Sequence, residues 1–140
     1  MDGTMASAGQ CIANPEHAHK VLVVEDTRDT RESLVMLLRG EGFGADGVAN
    51  GLDALRELRA GYDACLILLD LWMPVMDGWQ FRFEQRRDPT LADIPVVVLT
   101  ATVNPEEEAR RVGAVGGMQK PLDLSALLEL VGEYCPRTNS

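Results

Sequence analysis

Residues 65–78 have the sequence CLILLDLWMPVMDG, which contains the clearest strand signal of the chain. Five consecutive apolar residues lead directly into Asp70. An uninterrupted apolar run of this length is typical of a strand that is buried on both faces of a parallel sheet. Pro74 and Gly78 prevent the strand from continuing, so we expect Asp70 at its carboxyl end, at the edge of a loop. An aspartate there can also simply cap the turn, so Asp70 alone does not identify a site.

Other apolar runs predict four further strands, and each is followed by a helical pattern. We expect these strands within residues 21–24, 43–49, 96–100 and 115–119, the second being weak and at an edge because of its glycines. Polar residues suited to helix N-caps follow the strands: Thr27, Asn50, Asp77, Asn104 and Asp123. Strands and helices that alternate with short connections predict a parallel sheet with helices on both faces.

The predicted fold class is α/β: a flavodoxin-like, doubly wound, five-stranded parallel sheet of order 2-1-3-4-5 with five helices. In this order the first and third strands are neighbours, and ligands bind at the carboxyl ends of the strands. Glu25 and Asp26, which follow the first strand, should therefore lie beside Asp70. Thr100 and Lys120, which end the fourth and fifth strands, should lie along the same edge.

These polar residues predict phosphoryl chemistry. Carboxylates about 4 Å apart repel each other by roughly 4 kcal/mol at an effective dielectric constant near 20, and a hard cation such as Mg²⁺ removes this penalty. A carboxylate, here Asp70, can act as a nucleophile toward phosphorus. Lys120 and Thr100 could then stabilise the phosphoryl oxygens with an ammonium and a hydroxyl group. Together they predict a switch driven by phosphorylation.

Composition limits the classes of partner. The formal net charge is −9, which argues against binding to nucleic acid or to an anionic membrane surface. No apolar run is long enough for a transmembrane span, and the first residues do not resemble a signal peptide, so we expect a cytoplasmic protein. Three scattered cysteines (Cys11, Cys65 and Cys135) fit a reducing compartment, with Cys65 a small buried hydrophobe.

The expected domain organisation is one folded unit with a short segment on either side. Residues 1–18 lack periodicity and predict a flexible N-terminal tail. Residues 19–134 contain all predicted elements, and residues 135–140 are expected to form a C-terminal tail. Because residues 135–140 contain no basic helix-turn-helix pattern, we expect no DNA-binding output domain.

The chain resembles receiver domains of the bacterial two-component response regulators. The resemblance rests on Glu25-Asp26 after VLVV, Asp70 in LLDLWMPVMDG, Thr100 in VVVLTA, and Lys120 before Pro121. It implies that Asp70 accepts a phosphoryl group from a sensor histidine kinase or a phosphotransfer protein. It also implies that Mg²⁺ is bound by the carboxylates of the acidic pair and Asp70 and by the backbone carbonyl of Trp72.

The family resemblance also carries expectations about the kind of protein. Thr100 and Lys120 would bind the phosphoryl group. A stand-alone receiver acts by binding a downstream protein or by relaying phosphate, as a monomer or weak homodimer. It is not an enzyme beyond its own phosphorylation and dephosphorylation.

Two positions depart from the family pattern. Gly117 stands where an aromatic residue usually responds to movement of the threonine, so the alternative function is a binding module that works without phosphorylation. Trp72 is either a surface aromatic or a shield for the acyl phosphate. Trp72 also argues against a haloacid-dehalogenase-like phosphatase, which needs a second aspartate two residues after its nucleophile. The first strand lacks the glycine-rich turn of a dinucleotide enzyme.

Overall fold

The computed structural model describes residues 19–73 and 75–137. The strands are β1 (Lys20–Val24), β2 (Ala45–Val48), β3 (Ala64–Asp70), β4 (Val96–Thr100) and β5 (Gly116–Gln119). The helices are α1 (Arg28–Gly40), α2 (Gly51–Arg59), α3 (Gly78–Arg87), α4 (Pro105–Val112) and α5 (Leu124–Tyr134). The expected tail at residues 1–18 lies outside the described residues.

All five strands form one parallel sheet in the order β2-β1-β3-β4-β5. The predicted order 2-1-3-4-5 and the flavodoxin-like fold class are confirmed. β1 and β3 are neighbours, and Val24 is paired with Leu69. The residues that follow Val24 therefore lie beside the end of β3, where Asp70 stands.

The apolar strands are buried because helices cover both faces of the sheet. β4 is buried along its whole length, and so are the last five residues of β3. One core lies under α2, α3 and α4 and includes Leu55, Phe81 and Val112; the other lies under α1 and α5 and includes Leu38 and Leu127. No helix in the described ranges has both the length and the apolar character to cross a membrane.

The predicted N-caps differ in what their side chains do. Asn50, Asp77 and Asp123 accept backbone hydrogen bonds from the first turns of α2, α3 and α5. Asp77 also completes a capping box, in which its N–H donates to the Gln80 side chain. Thr27 and Asn104 occupy N-cap positions, but their side chains make no capping hydrogen bond.

The structure corrects the interpretation of Cys65 and of the C-terminal residues. Cys65 is not an unpaired hydrophobe, because it forms a disulfide with Cys135 across a Cα–Cα distance of 5.5 Å. This bond does not fit the reducing compartment predicted from the three cysteines. The expected C-terminal tail begins at 135, yet Cys135 is buried. The Arg137 guanidinium lies over the Phe43 ring and donates to the Glu41 carbonyl oxygen. Residues 138–140 lie outside the described part of the chain.

Candidate phosphoacceptor site

The ends of β1 and β3 bring three carboxylates together. Glu25, Asp26 and Asp70 each offer an oxygen atom within 4.8 Å of the others. Glu25 is 0% exposed and Asp70 is 5% exposed, whereas Asp26 is more open to solvent. Two buried carboxylates this close require compensating positive charge. The predicted acidic cluster is confirmed as a geometric feature of the fold.

The turn that carries Glu25 and Asp26 is fixed by backbone and side-chain hydrogen bonds. The Glu25 carboxylate accepts from the Thr27 N–H at 3.2 Å, and the Glu25 N–H donates to the Val48 carbonyl oxygen of β2. The Arg31 guanidinium of α1 donates to the Glu25 carbonyl oxygen at 2.9 Å. Arg31 was not among the residues predicted from the sequence, because an arginine in the first turn of a helix gives no signal of such a contact.

Lys120 supplies positive charge to the two buried carboxylates. Its ammonium group lies 2.7 Å from a Glu25 oxygen and 3.2 Å from an Asp70 oxygen. Burial by itself lowers the pKa of Lys120, but the hydrogen bond to Glu25 and the charges of Asp70 and Glu25 outweigh burial, so its pKa lies above the ordinary value. Lys120 therefore stays protonated across the physiological pH range.

Asp70 is held at the end of β3 by the chain that follows it. One carboxylate oxygen accepts from the Trp72 N–H at 3.1 Å, and the other accepts from Lys120. Gly78 lets α3 begin directly against this segment, since a Cβ at Gly78 would lie 2.7 Å from the Leu71 Cα atom and 2.9 Å from the Asp70 carbonyl oxygen. The Trp72 side chain is 64% exposed. The role of its carbonyl as a metal ligand stays a prediction.

Thr100 reaches the same edge of the sheet but its hydroxyl is engaged elsewhere. Its carbonyl oxygen accepts from the Lys120 N–H at 2.7 Å, which links the ends of β4 and β5. Its hydroxyl donates to the Glu108 carboxylate of α4 at 2.8 Å. Glu108 was not among the residues predicted from the sequence, because its distance from Thr100 along the chain matches no motif and the contact depends on how α4 packs.

Gly117 allows α4 to lie directly on β5. A Cβ at this position would overlap the Pro105 carbonyl oxygen and approach the Pro105 carbonyl carbon to 2.8 Å. An aromatic side chain therefore has no space at Gly117 in this arrangement of α4. The presence of glycine at 117, where the family usually has an aromatic residue, is thus linked to the position of α4.

The donor set fits Mg²⁺. Oxygen ligands from a few carboxylates, with room for water or phosphate oxygens, are what this ion prefers. Glu25 and Asp70 are buried and converge, and Lys120 neutralises one of the cluster's three negative charges. The remaining negative charge favours a divalent cation.

Comparison with known proteins identifies the family. The model of the response regulator receiver domain matches residues 21–132. The chain belongs to this family. The recognised motifs of the receiver domain, from Glu25 to Lys120, all lie within the matched range.

Individual relatives agree with this assignment. The receiver chain is 36% identical over 114 residues to the transcriptional regulatory protein HprR of Escherichia coli K12, covering 80% of this chain and 49% of HprR. It thus spans about half the length of the curated relative. The chemotaxis protein CheY4 of Vibrio cholerae superposes with a TM-score of 0.75 at 28% identity, covering 84% of this chain and 98% of CheY4.

A third relative was solved with a metal ion. The receiver domain of the sensor histidine kinase PA1611 from Pseudomonas aeruginosa PAO1 has magnesium coordinated in its active-site cleft. It superposes with a TM-score of 0.75 at 25% identity, covering 84% of this receiver and 97% of that domain.

Proposed function

We propose that this chain is a phosphorylation-activated signalling switch. Asp70 accepts a phosphoryl group from a phosphohistidine of a sensor histidine kinase or a phosphotransfer protein, in the presence of Mg²⁺. The observation that carries the proposal is the cluster of Glu25, Asp26 and Asp70, within 4.8 Å of one another and contacted by the Lys120 ammonium group. The proposed location is the cytoplasm, where ATP is available to histidine kinases and where the Cys65–Cys135 disulfide would be open to reduction.

The proposed transfer is a single displacement at phosphorus. A carboxylate oxygen of Asp70 forms a P–O bond while the P–N bond of the phosphohistidine breaks, and the leaving imidazole takes up a proton. The chain is thus a stoichiometric acceptor rather than an enzyme acting on other molecules. The three carboxylates and the Trp72 carbonyl would hold Mg²⁺, which would supply positive charge to the phosphoryl oxygens.

Lys120 and Thr100 would bind the phosphoryl group once it is formed. The Lys120 ammonium already lies 3.2 Å from Asp70, so a small movement brings it to a phosphoryl oxygen. The Thr100 hydroxyl donates to Glu108 in this structure. To donate to the phosphoryl group, it must exchange Glu108 for the new acceptor.

This exchange supports a route of transmission that does not require an aromatic residue at 117. Glu108 belongs to α4, so loss of the Thr100–Glu108 hydrogen bond releases one attachment of that helix. A hydrogen bond to a charged group makes a net contribution of about 1.5–3 kcal/mol. This is comparable to the free-energy difference between the two conformations of a switch. A changed α4 surface would then alter binding to a downstream protein.

The alternative is a binding module that works without phosphorylation. The observation that favours it is the direct packing of Pro105 on Gly117, which fixes α4 where other family members place a mobile aromatic side chain. In this alternative, the surface would bind its partner equally well before and after treatment with a phosphodonor.

The test is intact-mass spectrometry after incubation with Mg²⁺ and acetyl phosphate. We expect one added phosphoryl group on the wild-type protein and none on Asp70→Asn, which keeps the size of the side chain. Asp77→Asn is the matched control, because Asp77 is an N-cap outside the cluster, and it should be phosphorylated normally.

Binding of Mg²⁺ is measured separately, from the change in intrinsic tryptophan fluorescence, because Trp72 adjoins Asp70. A wild-type protein that neither gains mass nor responds to Mg²⁺ would contradict the proposed switch and favour the alternative. A response to Mg²⁺ without added mass would contradict only the role of Asp70 as phosphoacceptor and would leave the metal site supported.

A further inference from the structure

Basic residues are concentrated between α3 and α4, although the protein as a whole is acidic. Five of the 13 lysines and arginines belong to these two helices, in a chain with a net charge of −9. Arg82, Arg86, Arg87 and Arg111 line a hollow of about 500 Å³ together with Trp79 and Phe83. We call this hollow the arginine groove. Since like charges repel, such a concentration needs either structural partners or a ligand.

Only part of this charge has a structural partner. Arg82 donates to the carbonyl oxygens of Val112 and Gly113 at 2.9 and 2.7 Å, which caps the C-terminal end of α4. Burial, and then the positive charge of Arg86, lower the pKa of Arg82. Across residues 19–73 and 75–137, no carboxylate forms an ion pair with Arg82 or Arg86.

The other two arginines pair weakly. Arg87 lies 3.5 Å from Glu84 and 5.2 Å from the centroid of the Phe83 ring, Arg111 lies 3.0 Å from Glu107, and the four charged side chains are at least 36% exposed. Exposed pairs of this kind contribute about 0–1 kcal/mol and exchange readily with an incoming carboxylate. The arginine groove therefore presents positive charge that a ligand can neutralise.

A second hollow continues the arginine groove along α3. It has a volume of about 420 Å³, is lined by Met76, Trp79, Gln80, Phe83 and Glu84, and so shares Trp79 and Phe83 with the arginine groove. Phe83 is 60% exposed between the two. A small anion would occupy only the cationic end, whereas an extended peptide fits both. Because Glu84 repels acids, the second hollow favours an apolar side chain.

We propose that the arginine groove and the adjoining hollow bind an extended segment of a partner protein that carries acidic residues next to an apolar side chain. The acidic residues contact the arginines, and the apolar side chain packs on Phe83 and Trp79. The proposal goes beyond phosphorylation of Asp70, since none of these residues belongs to the acidic cluster. Peptide binding is tested on the unphosphorylated protein. A failure of peptide binding can therefore be distinguished from a failure of the proposed switch.

The test measures fluorescence anisotropy with a fluorescein-labelled peptide Glu-Asp-Glu-Gly-Leu-Phe. We expect saturable binding that weakens as salt increases. Arg86→Glu should weaken it at least tenfold, because it reverses a charge of the arginine groove that forms no ion pair with any described carboxylate. Arg56→Glu is the matched control: it makes the same change in net charge on α2 and should alter affinity less than twofold.

Peptide variants test the two ends of the site. Replacing the acids by lysines should abolish binding, and replacing Leu-Phe by Ser-Ser should weaken it at least threefold. Equal effects of Arg86→Glu and Arg56→Glu would overturn the proposal, since net charge alone would then explain binding. So would full binding by the Ser-Ser peptide, which would indicate a simple anion site. Self-association that Arg86→Glu abolishes, without peptide binding, would also overturn it by making a second copy the occupant.

Discussion

At the scale of single residues, the two adjacent glycines of β5 have different surroundings. A Cβ at Gly116 would meet no atom within 4 Å, whereas a Cβ at Gly117 would overlap the backbone of Pro105. Neither glycine has a positive φ. The difference between them is therefore one of packing, not of backbone conformation, and it makes them a matched pair.

Replacing Gly116 or Gly117 by alanine separates the effect of packing from the effect of backbone conformation. We expect Gly117→Ala to lower the free energy of unfolding by about 1–3 kcal/mol, because α4 must move to admit a methyl group. We expect Gly116→Ala to leave it unchanged or raise it by about 0.4–1 kcal/mol, because alanine restricts the unfolded chain. Urea unfolding followed by circular dichroism measures both. Equal stabilities of the two variants would show that α4 is not packed directly on β5.

Individual site residues were predictable where strand ends determined their positions. Glu25, Asp26, Asp70, Thr100 and Lys120 each follow or end a predicted strand, and the carboxyl ends of parallel strands meet at one edge. The Thr100–Glu108 hydrogen bond was not predictable. It depends on the rotation and tilt of α4, which no local pattern in the sequence specifies.

At the scale of elements, α4 is attached to the rest of the molecule at three points. Its first residue, Pro105, contacts β5 at Gly117; Glu108 accepts from Thr100; and its C-terminal carbonyl oxygens accept from Arg82. α4 is only eight residues long and buries two of them, Ala109 and Val112, so its position depends on these attachments as well as on its core contacts. The hydrogen bond to Thr100 is the attachment next to the phosphoacceptor site.

Removing Glu108 tests this attachment. We expect Glu108→Ala to increase amide hydrogen exchange in residues 105–112 and to speed phosphorylation by acetyl phosphate, because the Thr100 hydroxyl is then free to donate to the phosphoryl group. Glu106→Ala is the control, since Glu106 is an exposed acid in the same first turn of α4. Identical exchange and phosphorylation rates in the two variants would contradict the proposed role of Glu108.

The elements themselves followed closely from the sequence. Continuous apolar runs predicted the inner strands, helical periodicity predicted α1, α2 and α5, and start signals at Asp77-Gly78 and Asn104-Pro105 predicted α3 and α4. The roles of the N-caps were only partly predictable. A threonine or an asparagine at this position suits a cap, but Thr27 and Asn104 adopt side-chain positions that make no capping hydrogen bond.

At the scale of the whole molecule, the Cys65–Cys135 disulfide joins the start of β3 to the end of α5. The two residues are 70 positions apart, so the bond closes a loop that includes half of the chain. The sequence did not predict this pairing, because an odd number of scattered cysteines has no preferred partner until the fold brings two together.

Reduction should therefore destabilise the protein. A loop of this length gives about 4 kcal/mol in the chain-entropy model, which corresponds to a fall in Tm of roughly 10 °C for a domain of this size. Differential scanning calorimetry with and without dithiothreitol measures the shift. The double variant Cys65→Ala and Cys135→Ala should match the reduced wild-type protein and be insensitive to dithiothreitol. A Tm that reduction leaves unchanged would contradict a stabilising disulfide.

The two outer strands of the sheet have a consequence for how the protein can assemble. β2 and β5 are each four residues long and contain glycine, and helices approach them closely: Arg31 and Val35 of α1 lie over Gly47, and Pro105 of α4 lies over Gly117. Long, flat edge strands act as templates for aggregation, while short ones offer few free backbone groups. Contacts between copies at high concentration should accordingly use helical surfaces, and the sheet should resist growth into fibrils.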